Sequence, residues 1–355
     1  MIKNHLDKLI RFLSENNLDA VIVKKIENVC YFSGFYGDDT VLLIAANRKY
    51  LITDSRYTEQ AALQAPLFDV ILQKDGLWRE VNRIIEKGLS GNRIAFEGNF
   101  LTYDEYKKID ADVIKSITSV NLDQLRILKD DYEISCLRKA ADIANKAYNG
   151  IISCIRPGIS ENEVAFHLEM IMRKLGSERP AFTTIVASGK RGSLPHGIAT
   201  EKLIVDGEFV TMDYGAVYKG YHSDITRTVA VGNIDSEKRR LYDVVLNAQL
   251  LGIKHAVSGV SGSKPDVMVR EYLKRENCEQ YFTHGLGHGV GLEIHEAPRL
   301  SSKSDCEKLL PGMIVTVEPG IYIPDCCGIR IEDTVLVTAE GNEILTNCSK
   351  QFKQI

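Results

Sequence analysis

The sequence has no long hydrophobic run. None of its apolar stretches approaches the ~20 consecutive apolar residues that a membrane-spanning helix requires. Near the N-terminus, charged residues interrupt the pattern of Leu6, Ile10 and Leu13, whereas a signal peptide would present an unbroken apolar core. We therefore expect no membrane partner, and a cytoplasmic protein without a secretion signal.

A basic tract is also absent. The formal net charge is -4, from 44 Lys and Arg against 48 Asp and Glu. A protein that binds nucleic acid usually carries a basic patch or stripe. We expect no nucleic-acid partner, and substrates that are small solutes or peptides.

Paired cysteine motifs are missing as well. The 8 cysteines are scattered, and none forms a CxxC pair. In a cytosolic chain of this length, such cysteines are typical of small core residues that stay reduced. We expect the adjacent Cys326 and Cys327 to lie in a loop, with a redox or metal role as the alternative.

The 355 residues are enough for two domains, because single hydrophobic cores rarely grow beyond about 250–300 residues. In the first third, helical patterns alternate with short apolar runs such as Ala20–Val23 and Val113–Ile117. This alternation predicts a smaller α/β domain over residues 1–120. Residues 119–129 show little periodicity and are interpreted as a linker.

The remainder of the chain combines long helices with strands in hairpins. One helix is predicted from about residue 130 to 152, before Pro157 and Gly158. The next begins at the capping box Ser160-x-x-Glu163. These patterns predict a second domain over 125–355 and an α+β (mixed α/β) fold class.

Two aspartates flank a predicted β-hairpin. Asp213 and Asp224 lie in the segment FVTMDYGAVYKGYHSDITRT. If the turn centres on Tyr218 and Lys219, the two carboxylates oppose each other, with Cβ atoms about 4.5–5.5 Å apart. Opposed like charges are unfavourable in a sheet unless a cation lies between them. The alternative is two solvated aspartates on an exposed hairpin, although their apolar and threonine neighbours argue for burial.

A glycine-rich segment, FTHGLGHGVGLEIHEAP, contains His284, His288 and His295. Its glycines allow the backbone to pass close to a ligand. A lone histidine is more often a core or surface residue. Three in one short glycine-rich segment favour a binding site.

Two glutamates complete the candidate ligands. Glu318 lies in VTVEPGIYIP, before a turn, and Glu332 lies in IRIEDTVLVT. We expect Arg330, Glu332 and Thr334 to share one face of a single strand. The alternatives are a solvated carboxylate for Glu318 and a surface salt bridge with Arg330 for Glu332.

Four carboxylates and one imidazole form a hard, oxygen-rich ligand set. Such a set suits manganese, cobalt or zinc in a two-ion cluster better than a thiolate zinc site. Bridging carboxylates can hold two ions about 3.5–4 Å apart with a water between them. The ions lower the pKa of this water and polarise a scissile carbonyl, and both effects promote peptide hydrolysis at neutral pH.

In their order and local context, these residues resemble the metal ligands of the pita-bread metallopeptidases, which include methionine aminopeptidase, Xaa-Pro aminopeptidase (aminopeptidase P) and prolidase (Xaa-Pro dipeptidase). The resemblance covers the whole chain. The first third, with YFSGF at 31–35 and TDSRY at 53–57, is similar to the creatinase/prolidase N-terminal domain. The remainder is similar to the pita-bread catalytic domain. The matching ligands are Asp213, Asp224, His288, Glu318 and Glu332.

The resemblance implies two divalent ions, with Mn²⁺ expected first and Co²⁺, Zn²⁺ or Fe²⁺ as alternatives. Asp224 and Glu332 would bridge the ions, and Asp213 would bind one of them. His288 and Glu318 would complete the sphere of the other. Glu318 would also carry a proton from the bridging water, acting as hydroxide, to the leaving proline nitrogen.

Substrate contacts are implied in the same way. His196, in SLPHG, matches a substrate-binding histidine, and His284 matches one that helps to hold the proline residue. His295 matches a histidine that contacts the scissile carbonyl and stabilises its negative charge. Arg330 matches an arginine that steadies the cluster. No role is matched to His222.

The proline-specific branch is favoured, because methionine aminopeptidases usually lack the N-terminal domain and carry a longer insert between the two glutamates. Creatinase lacks the metal ligands. Xaa-Pro aminopeptidase activity on proline-containing peptides is preferred, since no extra basic group is evident to capture the C-terminal carboxylate of a dipeptide. Xaa-Pro dipeptidase is the alternative, and a non-catalytic peptide-binding module is a further one that the complete ligand set argues against. The resemblance also implies a homodimer.

Overall fold

The computed structural model describes residues 1–87, 93–109 and 116–355. The chain divides into two compact units, Met1–Arg126 and Ile127–Ile355. Within the described ranges, no helix combines the length and apolar character needed to cross a membrane. The cysteines all fall in these ranges as free thiols, with Cys326 exposed in a turn and Cys327 buried.

The first unit is built on one mixed sheet. Its strands are β1 (Ala20–Val23), β2 (Val41–Ala45), β3 (Lys49–Thr53), β4 (Asp69–Leu72), β5 (Arg93–Glu97) and β6 (Ser116–Val120). Their order is β4-β3-β2-β1-β5-β6, with β2 antiparallel to both β1 and β3 and the outer pairs parallel. Residues 113–115 of the predicted strand Val113–Ile117 lie outside the described residues.

Helices pack against this sheet. They are α1 (Ile2–Glu15), α2 (Ile26–Ser33), α3 (Thr58–Gln64), α4 (Leu77–Glu86) and α5 (Tyr103–Tyr106). The buried face of α4 presents Trp78, Val81 and Ile85 at helical spacing to a core that includes Ile22 and Ile52. The predicted α/β character of the first unit is therefore confirmed, whereas α2 was not predicted.

The helices of the second unit are α6 (Asp131–Ile151), α7 (Glu161–Lys174), α8 (Ser236–His255) and α9 (Ser263–Arg275). Both α6 and α7 begin with complete capping boxes, Asp130 with Glu133 and Ser160 with Glu163. A capping box satisfies the first free N–H groups locally, which is why the start at Ser160 was readable from sequence.

Strands of the second unit form two principal sheets and two short hairpins. They are β7 (Ile185–Ser188), β8 (Glu208–Tyr214), β9 (Val217–Tyr218), β10 (Tyr221–His222), β11 (Ile225–Val231), β12 (Gly287–Gly289), β13 (Glu296–Leu300), β14 (Ile314–Val317), β15 (Gly320–Ile323), β16 (Cys327–Arg330), β17 (Asp333–Val337) and β18 (Asn342–Ile344). The sheets have the orders β11-β8-β7 and β13-β12-β14-β17-β18, and β9-β10 and β15-β16 are the hairpins. The predicted α+β class is confirmed.

Each principal sheet packs one face against helices. Val210 and Met212 of β8 lie in a core with Ile151 of α6 and Leu168 of α7, whereas Val315 and Val335 pack with α8. Since side chains alternate along a strand, Asp213 of β8 points away from the helices. The polar faces of the sheets therefore carry the candidate ligands.

The structure corrects the register of the aspartate hairpin. Its turn centres on Lys219 and Gly220, both at positive φ (49° and 78°), rather than on Tyr218 and Lys219. Two positive φ values are the signature of a tight type I′ hairpin turn, which favours glycine. The shift places Asp213 opposite Thr226, so the prediction that it directly opposes Asp224 was wrong.

A second correction concerns the predicted single strand through Glu332. The chain leaves its pairing with β15 after Arg330 and resumes pairing, now with β14, at Asp333. Ile331 and Glu332 lie between the two strands. Polar and apolar residues continue to alternate through this break, so the sequence pattern did not reveal that the chain changes sheets.

Candidate metal centre

The five predicted ligands come from separate strands and their ends. Asp213 lies near the end of β8, and Asp224 directly precedes β11. His288 is the middle residue of β12. Glu318 follows β14, and Glu332 lies in the break between β16 and β17.

Four of these side chains converge directly. Ligand atoms of Asp224, His288 and Glu332 all lie within 4.8 Å of one another. Nε2 of His288 is 3.5 Å from Asp224 Oδ2 and 3.4 Å from Glu318 Oε1. The separations are wider than direct hydrogen bonds, and they are compatible with a cation between the groups.

Asp213 is linked to this group by Arg330. Nη2 of Arg330 donates to Asp213 Oδ2 over 2.7 Å, and its Nε donates to Thr226 Oγ1 over 3.0 Å. Arginine has no acceptor, so the Thr226 hydroxyl must donate its own hydrogen to Glu332 Oε2, 2.7 Å away. One guanidinium thereby orients two carboxylates.

Each of these two carboxylates keeps one oxygen unused. Oδ1 of Asp213 and Oε1 of Glu332 are buried and have no hydrogen-bond partner in the described part of the chain. Leaving a buried carboxylate oxygen without a partner is costly. Because the surrounding donors are carboxylates and one imidazole, the set fits divalent metal ions.

The imidazole of His288 is held in the form that a ligand needs. Its Nδ1 lies 3.0 Å from the carbonyl oxygen of Gly289, and a carbonyl can only accept, so Nδ1 carries the hydrogen. The lone pair is then on Nε2, which faces Asp224 and Glu318. Burial, followed by the nearby His295, lowers the pKa of His288 to about 4, so the ring is neutral at pH 7.

The carboxylates repel one another strongly. Burial raises the pKa of Asp224 well above its ordinary value, and the charges of Glu332 and Asp213 raise it further. Burial likewise raises the pKa of Glu332, and it raises that of Glu318 to about 8. The buried cation Arg330 lies beside these carboxylates, and its charge only partly offsets the increase in their pKa values. Further positive charge would relieve the conflict.

Two glycines allow β12 to carry His288 into this position. A Cβ at Gly287 would collide with the backbone of Thr316, and one at Gly289 with the backbone of Ala297. The alternation of glycine and histidine is therefore explained by close strand contacts on both sides of the ligand.

The other predicted histidines surround the cluster. The rings of His288 and His295 are 4.3 Å apart at their centroids, and His295 is exposed. Nε2 of His284 lies 2.8 Å from the Tyr322 hydroxyl. His196 is exposed and follows Pro195, whose carbonyl accepts from Arg330 Nη1 over 3.2 Å.

His222 has a structural environment of its own. Its backbone N–H donates to Gly291 O over 2.9 Å, and its Nε2 lies 3.2 Å from Arg179 Nη1. Burial, with the positive charge of Arg179, lowers its pKa to about 4. It therefore contacts the loop between His288 and His295.

Sequence reasoning missed three side chains at this site. Thr226 contacts Glu332 and Arg330, and Tyr322 contacts His284 and Arg330. Arg299 is paired with His288 across β12 and β13, and its charge helps to lower the pKa of His295, after burial. Thr226 stands two residues after Asp224, and this spacing on a strand could have predicted that the two side chains share one face. Arg299 is recognisable only from the pairing of β12 with β13.

Comparisons with known proteins show which families the two parts of the chain match. Residues 135–339 match the family described as metallopeptidase family M24, and residues 5–127 match the creatinase/prolidase N-terminal domain. An Xaa-Pro dipeptidase of Pyrococcus furiosus is 40% identical over 358 residues, which cover 99% of this chain and 100% of that protein.

Solved structures are similar over the same length. The chain superposes on an Xaa-Pro dipeptidase from Bacillus anthracis with a TM-score of 0.94 and 42% identity, covering 100% of both chains. It superposes on an X-Pro aminopeptidase from Thermotoga maritima with a TM-score of 0.90 and 36% identity, covering 99% of both.

Proposed function

The chain belongs to metallopeptidase family M24, and from this premise we propose that it hydrolyses the bond preceding proline at the N-terminus of a peptide. The family implies divalent metal ions and peptide substrates. Similar proteins bear the names Xaa-Pro dipeptidase and X-Pro aminopeptidase, which supports the proline specificity. A homodimer in solution is part of the proposal.

The observation that carries the proposal is the pair of buried, unpartnered oxygens on Asp213 and Glu332, together with the convergence of Asp224, His288 and Glu332 within 4.8 Å. We assign five residues to two divalent ions, with Mn²⁺ as the first expectation. They are Asp213, Asp224, His288, Glu318 and Glu332. When bound, such ions lower the pKa of a water molecule and polarise the scissile carbonyl.

Glu318 is the proposed proton carrier. Its Oε1 receives the proton of the attacking water and delivers it to the leaving nitrogen of proline. A general acid/base works best when its pKa lies near the working pH. Burial raises the pKa of Glu318 to about 8 in the metal-free protein.

Three histidines are assigned to the substrate. His295 lies beside His288 with part of its side chain exposed, and desolvation of the remainder lowers its pKa, so a neutral ring can donate a hydrogen bond to the carbonyl oxygen as it becomes negative. His196 and His284 are assigned to binding and positioning the peptide.

Strict dipeptidase activity is a second candidate, and Arg299 favours it. The preference for an aminopeptidase depended on the lack of a basic group near the site. Arg299 is exposed and pairs with His288, so the two side chains share one face of the sheet. A guanidinium there suits the C-terminal carboxylate of a bound dipeptide.

A substrate panel tests both candidates. Protein stripped with a chelator and reloaded with Mn²⁺ should release alanine from Ala-Pro or Ala-Pro-Ala, and much more slowly from Ala-Ala and Ala-Ala-Ala. Equal rates on the proline-free peptides would refute the proposed specificity. Parallel reloading with Co²⁺, Zn²⁺ and Fe²⁺ identifies the preferred ion.

Arg299→Gln separates the candidates. A dipeptidase should show a rise in KM for Ala-Pro of about 10-fold or more, because a hydrogen bond to a charged group is lost. An aminopeptidase should cleave Ala-Pro-Ala as before. Arg240→Gln is the matched control, since Arg240 is paired with Glu237 on the exposed surface of α8.

A further inference from the structure

Tyr322 occupies a position between the metal cluster and the histidines assigned to substrate. It lies in β15, its side chain is buried, and its hydroxyl accepts from Arg330 Nη1 over 2.8 Å. In the β15–β16 hairpin Tyr322 is diagonal to Arg330, because Arg330 pairs with Gly320. A Cβ at Gly320 would collide with the Tyr322 ring, so this glycine leaves the space that the phenol occupies.

The direction of the next hydrogen bond follows from His284. Nδ1 of His284 lies 2.8 Å from the carbonyl oxygen of Gly285, which can only accept, so Nδ1 carries the hydrogen. Burial lowers the pKa of His284 to about 4, and the ring is therefore neutral at pH 7. Nε2 must then be an acceptor, and the Tyr322 hydroxyl donates to it over 2.8 Å.

The two partners of the hydroxyl depend on it unequally. Arg330 has other acceptors: Asp213 Oδ2 at 2.7 Å, Thr226 Oγ1 at 3.0 Å and Pro195 O at 3.2 Å. Nε2 of His284 has no second hydrogen-bond partner among the described residues. Removing the hydroxyl should therefore release His284 and leave Arg330 in place.

We propose that Tyr322 is a positioning residue that holds His284 as an apolar wall for the leaving residue of the substrate. With both ring nitrogens engaged within the protein, His284 can offer only its ring carbons to a ligand. Such a surface suits a pyrrolidine ring, which has no polar side-chain group to satisfy. This inference rests on the proposed function, because it assumes that proline lies against His284.

Kinetics of Tyr322→Phe test the proposal. KM for Ala-Pro should rise about 5-fold, from the loss of one neutral hydrogen bond, while kcat stays within about 2-fold. Inhibition by the product proline should weaken by a similar factor, and the Kd for Mn²⁺ should not change. Tyr242→Phe is the matched control, since the buried Tyr242 hydroxyl donates to Lys350 O outside the site.

Three kinetic results would overturn the proposal: a fall in kcat at constant KM, a weaker Kd for Mn²⁺, or effects no larger than those of Tyr242→Phe. The first two would place the action of Tyr322 on the metal cluster.

A measurement on the unmutated chain keeps the test independent of folding and of activity. In ¹⁵N-histidine spectra, with His284 assigned by comparison with His284→Gln, the ring should show hydrogen on Nδ1 and none on Nε2. Hydrogen on Nε2 would refute the proposal directly. If the unmutated enzyme cleaves no Xaa-Pro peptide, the proposed function fails, and this spectrum still decides the hydrogen-bond arrangement.

Discussion

Thr226→Val removes one oxygen atom from the site and nearly preserves the volume of the side chain. Thr226 is fully buried, and its hydroxyl bonds Arg330 Nε at 3.0 Å and Glu332 Oε2 at 2.7 Å. A hydrogen bond to a charged group contributes about 1.5–3 kcal/mol. Arg330 keeps Asp213 and Tyr322, so the loss falls mainly on Glu332, whose Oε2 has no other donor in the described chain.

A freely rotating Glu332 binds a metal less well than one that is held in place. We expect the Kd for Mn²⁺ to rise by about 10–100-fold, the usual cost of losing a group that orients a ligand. This range agrees with 1.5–3 kcal/mol, since about 1.4 kcal/mol corresponds to a tenfold change. Calorimetric titration of chelator-treated protein with Mn²⁺ measures it.

Two further variants make the result specific to the hydroxyl of Thr226. Thr226→Ser restores it, and the Kd should return to within about 3-fold of the unmutated protein. Thr211→Val removes another buried hydroxyl, whose bonding partners among the described residues are the neutral Thr228 Oγ1 and Gly328 O, and it should have little effect on the Kd for Mn²⁺. An unchanged Kd in Thr226→Val, or an equal rise in Thr211→Val, would refute the reasoning.

Three other outcomes are expected. Glu318→Gln should retain the fold while kcat, measured at saturating Mn²⁺, falls by about 10²–10⁴-fold because the proton carrier is lost; near-normal turnover would remove that role. In metal-free protein, the pKa of Glu318 is raised to about 8 in the folded state, above the ~4.3 of an unfolded chain. The contribution of Glu318 to the free energy of unfolding is therefore complete below pH ~4.3 and is lost as pH rises through 8. Urea unfolding of the unmutated protein, compared at each pH with Glu318→Gln so that the histidines cancel, should therefore show a smaller stability at pH 8.5 than at 5.5, with Mn²⁺ reducing the change; a flat or opposite difference would contradict the assignment. Lys129→Met should lower the free energy of unfolding by about 1.5–3 kcal/mol, since it removes a hydrogen bond of 3.0 Å between two charged groups whose side chains are 1% and 5% exposed. The double change Lys129→Met/Glu296→Gln should cost less than the single one, and an equal or larger loss would show that the ion pair is not the cause.

The parts of the fold that were predicted correctly depend on local signals. The capping box Ser160-x-x-Glu163 identified the start of α7, because the cap satisfies its own backbone groups within four residues. Strand β1 was readable as a short apolar run bounded by polar residues. Helix α2 was missed because its buried face includes Asn28 and Ser33, which contradict a simple apolar pattern.

The hairpin and the strand break show where local patterns fail. A turn displaced by one residue moved Asp213 from opposite Asp224 to opposite Thr226, because register depends on which residues adopt positive φ. At Ile331 and Glu332 the chain changes sheets without any change in its alternation of residue types. Pairing partners, rather than residue type, define a strand.

Sequence alone determined the chemical kind of this site. Residue types, their order and their glycine-rich or strand-like settings were sufficient to select Asp213, Asp224, His288, Glu318 and Glu332, because hard oxygen ligands and a single imidazole carry their chemistry wherever the chain places them.

Only the tertiary structure decided which hydrogen-bond partner each atom of the site has. Several contacts depend on strands that are distant in sequence. Arg330 reaches Asp213 directly and Glu332 through Thr226. In the same way, Tyr322 donates to His284, and Arg299 stands beside His288. Hydrogen bonds are directional and short, so the partner of each oxygen is set by the packing of the sheets, which no local pattern encodes.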